Sequence, residues 1–251
     1  MKILLLKKVM LIVLVTFSVH SLFIFAKNYS PDEMSVVSTA LNDGENGNSK
    51  SLKKEKSLYQ SLNLAQLNLG EEAFDKAVEG YNNLSAAGKV TNEFLSIVDF
   101  SQPSAKKRLY VIDMKNARLL FNTYVSHGRN SGTAMAREFS NDAESNKSSL
   151  GFFVTGDPYM GKHGFSLRLL GQEKGINDNA CDRAIVMHSA AYVSEAAIKM
   201  QGFAGRSLGC PALPEELHKP IIEKIKSGSC LFLYSPDAYY ASHSTFLKKN
   251  I

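Results

Sequence analysis

Apolar residues at Leu69, Ala73, Phe74, Ala77, Val78 and Tyr81 recur at intervals of three and four, which places them on one stripe of an α-helix over 69–88. Beyond that stretch the period shortens to two. Phe94–Phe100, Arg108–Met114 and Arg118–Val125 read as strands, and Lys115, Asn116 and Ala117 join the last two as a hairpin. Gly151–Thr155, Ser166–Leu170, Arg183–His188 and Cys230–Tyr234 add four more strands. Helical spacing returns at Val193–Gln201 and at Pro214–Lys226. The second of these opens with Pro214, Glu215 and Glu216, which suit a first turn, and stops before Gly228. The pattern predicts a mainly β domain with a few helices, an α+β fold over 69–236, followed by a tail at 237–251. No internal repeat interrupts it.

Upstream, the chain reads differently. From Asn28 to about Leu62 it is rich in Ser, Asn, Asp, Glu and Lys, with LNDGENGNSK at its centre, and 27–68 is expected to be a flexible linker. Residues 1–8 are basic, and Val9–Ala26 is mostly apolar, interrupted by Ser18, His20 and Ser21. That order reads as a secretory signal with small Ala26 before Lys27 as the cleavage point. The run also approaches the roughly 20 residues that span a bilayer, so an uncleaved membrane tether through residues 9–26 is the alternative. Either reading sends the domain out of the cytoplasm.

Composition narrows the class of protein. The chain has 251 residues, 44% of them hydrophobic and 21% charged, which excludes collagen, coiled-coil and wholly disordered readings and suffices for one good-sized domain with extensions. Of the net charge of +5, Lys2, Lys7 and Lys8 supply three, so the remainder has no basic footprint for nucleic acid. Lys50, Lys53, Lys54 and Lys56 sit in a polar stretch and read as solvated.

Export also changes what the cysteines mean. Cys181, Cys210 and Cys230 are an odd set, so at least one thiol is left over, whether or not Cys181 pairs with Cys230. The Cys and His spacings of zinc sites are absent, and neither a metal nor another cofactor is expected. Arg183–Met187 is an apolar strand ending in His188, Ser189 and Ala190; 22 residues after His188, the loop GRSLGCPA carries Cys210. A cysteine that attacks an acyl carbon needs a base to form thiolate and backbone N–H groups aimed at the developing oxyanion. His188 suits the first need, and Gly209, with no Cβ, suits the second. Alone, His188 would pass for a strand-end histidine and Cys210 for a small buried apolar residue.

Together in the run HSAAYVSEAAIKMQGFAGRSLGCPALP, they resemble the L,D-transpeptidase catalytic domain family, exported cysteine enzymes that remodel bacterial peptidoglycan. SHGRNSG, FSND, SSLGFFVTG, Y-x-GKHGFSLRL and RAIVMH resemble its murein L,D-transpeptidase subgroup, and the likeness spans about 70–236. It implies a β-sandwich with an N-terminal helix and no cofactor. It also implies a monomer working in the periplasm or cell envelope on peptidoglycan stem peptides. Cys210 would be the nucleophile and His188 the base, oriented by a backbone carbonyl at Ser189, with Gly209 at the oxyanion. The implied reaction passes through a thioester to a 3–3 crosslink and would be a carbapenem target; with water as acceptor the same site would be a carboxypeptidase. Ser207, Arg206 and His163 are expected at the substrate: Arg206 for a stem carboxylate, and His163 because glycines 161 and 164 make a tight loop beside the cleft. His127 and Asn130 could border the cleft or merely close a strand end, while His218 and His243 are expected in solvent. The sequence departs from the commonest pattern of the family, which has His before the Gly-Cys pair and Asn or Arg two residues after the Cys; Leu208 and Ala212 stand there instead.

Overall fold

The first long helix, α1 (Glu71–Ala86), forms where the three-and-four spacing predicts it and buries Ala73, Phe74, Ala77, Val78 and Leu84. Glu71 and Glu72 occupy its first turn, where unpaired N–H groups favour negative charge. Gly80 lets the helix lie directly on Phe152, since a Cβ there would overlap the Phe152 ring. That ring stacks on Phe232 with centroids 4.1 Å apart; burying a side chain of this size contributes about 2 kcal/mol. These contacts belong to a computed structural model that describes residues 55–247. The expected export segment 1–26, and the expected linker as far as 54, lie outside the described residues.

After α1 come β1 (Phe94–Asp99), β2 (Leu109–Asp113) and β3 (Arg118–Thr123), an antiparallel meander. β4 (Gly151–Gly161) and β5 (Gly164–Gly171) form a hairpin. β6 (Val186–Ser189), α2 (Glu195–Gln201), β7 (Ala212–Leu213), α3 (Glu215–Ile225), β8 (Cys230–Tyr234) and α4 (Ala238–His243) complete the order. The strands join edge to edge as β3-β2-β1-β8-β4-β5-β6-β7. β8 lies in the interior of this order, parallel to β1 and antiparallel to β4, and all five of its residues are buried. The strand-rich α+β architecture is the expected one.

Several boundaries differ for identifiable reasons. β4 runs for 11 residues. Gly156, Asp157 and Pro158 have the chemistry of a turn, yet a register shift between Thr155 and Pro158 absorbs them as an irregularity in the ladder. β6 begins only at Val186, because Ala184 adopts a left-handed φ of 52° and its N–H bonds to Cys181 O, closing a turn. α2 starts at Glu195 because Ser194 Oγ accepts from Ala197 N and caps it.

The domain is also longer at both ends than the pattern suggested. Residues 55–61 are helical, Leu64 is buried, and Tyr59 donates to Leu69 O, so the last part of the expected linker belongs to the fold. The expected tail carries α4. Its Tyr240 hydroxyl donates to buried Glu173 at 3.1 Å, and Ser244 Oγ donates to the same carboxylate, which also accepts from Phe152 N at 2.7 Å. Among the described residues no helix is long and apolar enough to cross a membrane.

Candidate active site

The parallel pairing of β6 with β7 aligns His188 with Ala212 and Ser189 with Leu213. The loop that precedes β7 therefore lies against the strand that carries His188, and Cys210 meets the Val186 N–H. Val186 and His188, two residues apart on β6, face the same side. His188 is 3% exposed, and its Nδ1 lies 2.7 Å from Ser189 O. A carbonyl only accepts, so Nδ1 carries the proton and Nε2 is the lone-pair nitrogen of the neutral ring. Burial pushes the His188 imidazole below its ordinary value against the pull of the Ser189 carbonyl, and His163, His218 and Lys162 push it the same way.

Residues 206–212 owe their shape to hydrogen bonds from neighbouring segments. Ser207 N donates to His127 O at 2.9 Å, and Arg129 N donates to Ser207 O at 2.8 Å. Ser148 Oγ donates to Gly209 O at 3.1 Å, and Ala212 N donates to Ser126 Oγ at 3.1 Å. Gly209 has a φ of 127°, and a Cβ on it would stand 2.8 Å from Lys147 O; this position requires glycine on both counts. The Cys210 thiol donates to Ala184 O across 3.7 Å. Burial raises the thiol, while Val186 N–H and the charges of Arg183 and Lys162 work against that rise.

Two expected roles change. Ser207 is buried, and its hydroxyl accepts from Gly209 N at 3.0 Å and donates to Cys210 O at 2.7 Å. That occupies its one proton inside the loop, so Ser207 shapes the turn. The same bond takes the Gly209 N–H, which leaves the amide of Cys210 as the backbone donor beside the thiol. Gly209 contributes conformation.

The β4–β5 hairpin reverses through Lys162 and His163, with Gly161 paired to Gly164, and lays the His163 ring on His188. Arg206 is exposed; its guanidinium donates to Arg129 O and Gly132 O at 3.3 and 3.4 Å and lies over Phe203. His127 is fully buried. Its Nδ1 accepts from Arg108 at 2.8 Å and its Nε2 donates to Gly132 O at 3.2 Å, an internal network. Asn130 Nδ2 donates to Ser145 O.

The linear pattern missed Arg183, Tyr192, Lys162 and His218. Arg183 and Lys162 act on Cys210, and the half-buried Tyr192 hydroxyl is raised by desolvation and then by Cys210. His218, expected in solvent, lies on α3 near enough to bear on His188. These groups come from separate segments, and no spacing rule links them. Cys181 is an exposed free thiol and Cys230 a buried one in β8. Among the described residues no His, Cys, Asp and Glu cluster is arranged to hold a metal ion.

Comparison with known proteins places this arrangement. No curated protein sequence matches the chain. Solved structures that are similar to it include an L,D-transpeptidase from Mycobacterium smegmatis, at 15% identity and a TM-score of 0.35 over 57% of this chain and 59% of that one. An L,D-transpeptidase from Xylanimonas cellulosilytica matches at 14% identity and 0.35, over 64% and 77%. A mutant of the helical cell shape determining protein Pgp2 from Campylobacter jejuni matches at 14% and 0.38, over 63% and 56%. The chain thus spans about three fifths of the length of the mycobacterial structure. The family model for the L,D-transpeptidase catalytic domain matches residues 65–234, well over half of the sequence and all of β1 to β8, and the chain belongs to that family.

Proposed function

We propose that the protein is an exported L,D-transpeptidase that acylates Cys210 with a peptidoglycan tetrapeptide stem and transfers the acyl group to a second stem. The observation that carries this reading is the state of His188: Nδ1 is committed to Ser189 O, and burial keeps the ring neutral, so Nε2 is a base on the strand beside the Cys210 loop.

Burial holds Cys210 as a thiol and His188 as a neutral imidazole at rest. In this reading the proton moves as attack begins. The sulfur turns from Ala184 O toward His188, gives its proton to Nε2, and bonds to the carbonyl carbon of the third stem residue. The oxyanion is held by the Cys210 amide, a contact worth about 3 kcal/mol. His188 then protonates the departing amine of D-alanine, leaving a thioester. An amine from another stem attacks the thioester, completing a 3–3 crosslink and releasing the thiol.

Peptidoglycan lies outside the cytoplasmic membrane, so this reading assigns export to residues 1–26, whether cleaved or kept as a tether, and a spacer to 27–54. The domain, residues 55–247, works as a monomer without cofactor. The test is incubation of purified protein with a disaccharide tetrapeptide, followed by mass analysis. Crosslinked dimers with loss of D-alanine are expected. Tripeptide alone would make water the acceptor and the protein a carboxypeptidase; unchanged substrate would overturn the reading.

A further inference from the structure

Arg183 stands just before the turn that opens β6, and its guanidinium makes four hydrogen bonds to one segment of chain. Nη1 donates to Ser140 O at 2.7 Å and Ser149 Oγ at 2.6 Å; Nη2 donates to Lys147 O at 2.7 Å and Ser145 Oγ at 3.1 Å. All four acceptors are neutral, and none of the ion pairs among the described residues includes Arg183. The half-buried cation is thus fixed in place with its charge uncancelled by contact.

That charge sits beside the loop that carries the thiol. Nη2 lies 3.6 Å from the point a Cβ on Gly209 would occupy, and the next residue, Ala184, receives the Cys210 thiol on its carbonyl. The left-handed φ of Ala184 is what turns this carbonyl toward the sulfur. Lys147 O ties the two sides together, since it takes the Arg183 hydrogen bond and is also the backbone atom against which Gly209 packs.

We infer that Arg183 is a positioning residue of the acyl-transfer site: fastened to the 140–149 segment, it holds a fixed positive charge beside Cys210 and stabilises the thiolate as His188 removes the proton. This rests on Cys210 being the nucleophile. The other charged or titratable groups bearing on the sulfur are Lys162 from the hairpin tip and Tyr192 after β6, with His188 on the adjacent strand; Asp142, on the anchoring segment, offsets Arg183 from a distance. Lysine could supply charge here but not the fork that meets four acceptors at once.

The test is the pH dependence of iodoacetamide alkylation at Cys210, read by mass spectrometry on the whole folded protein, with exposed Cys181 as internal reference. In Arg183→Gln the Cys210 profile should move to higher pH and the rate at pH 7 should fall roughly tenfold, while Cys181 is unchanged. Arg183→Lys should recover part of that rate. Asp142→Asn, an exposed change, should move the Cys210 profile the opposite way, and it decides the matter alone if Arg183→Gln does not fold. Cys210 profiles that coincide with wild type in the folded variants overturn the inference. Alkylation needs no peptidoglycan. A shifted profile with inert stems would sink the transferase and sustain Arg183, whereas active stems with an unshifted profile would do the reverse.

Discussion

The imidazole of His163 lies on that of His188, with ring centroids 4.4 Å apart and planes 20° from parallel. His163 reaches that position from the tip of the β4–β5 hairpin, so a surface turn covers the buried base. The cover lowers the basicity of His188 in two ways. It keeps water off the ring, and together with neighbouring Lys162 it disfavours a positive charge on His188. In His163→Ala both effects are lost and His188 binds its proton more readily. The acid limb of kcat/KM against pH should move to higher pH, so activity disappears earlier on acidification. An unmoved limb would show that the hairpin does not bear on the base.

Removing the base itself has a different signature. His188→Gln should lower kcat/KM about a thousandfold and leave a residual rate that climbs with pH as the thiol ionises unaided. A pH profile of wild-type shape in this variant would mean that another group takes the proton.

Cys210→Ser should abolish turnover with the melting temperature unchanged, because the thiol donates only one weak hydrogen bond, to Ala184 O, which a hydroxyl can also make. A carbapenem should add its mass to wild-type protein at Cys210 and not at Cys181 or Cys230. Peptide mapping of the adduct decides between the three thiols.

At Gly209 an added methyl group meets Lys147 O and a backbone angle hostile to side chains. Gly209→Ala should cost about 1 to 3 kcal/mol of stability, and it should cut turnover about a hundredfold by displacing the Cys210 amide. Thermal melts and acylation rates measure the two effects separately; full acylation in a folded variant would contradict the role given to this turn.

His127 predicts acid sensitivity of the fold. Burial first, then the Arg108 charge, carries its imidazole from 6.5 to about 4. Between those two values the unfolded chain binds a proton that the folded chain refuses, so stability is full above about 6.5 and falls as pH drops toward 4, by up to about 3 kcal/mol. Melting temperature against pH should show this slope in the wild type. His127→Gln should have a lower but flatter curve through the same window. Parallel curves would assign the acid sensitivity elsewhere.

The difference between what the sequence discloses and what it hides follows from where each constraint originates. α1 is legible because one face of a single helix meets the core, so Ala73, Phe74, Ala77 and Val78 repeat at the helical period. β8 is legible as an unbroken apolar run. The two-residue β7 has no period to read, and the second half of β4 is hidden by Gly156 and Pro158, whose turn chemistry the neighbouring strand overrides. α4 is short and half polar, and what holds it is Glu173, 67 residues away from Tyr240. In the site, His188 and Cys210 can be singled out because each ends a recognisable local motif. Arg183, Tyr192, Lys162 and His218 matter only through proximity, which the sheet order creates and linear spacing does not record. Linear spacing likewise does not disclose that the Ser207 hydroxyl is engaged by the turn it belongs to.

The place of β8 sets a timetable for the chain. In the sheet order the strands before it form two groups, β3-β2-β1 and β4-β5-β6-β7, with β8 between them; the chain after β3 also meets β7, where Ser126 N donates to Ala212 O, but the centre of the sheet stays open until residues 230–234 are available. The export proposed above would require that the chain not fold early, and a central strand supplied late in the domain delays folding. Chains arrested before residue 230 should accordingly remain open to protease, and protection should arrive in one step once Tyr234 has emerged.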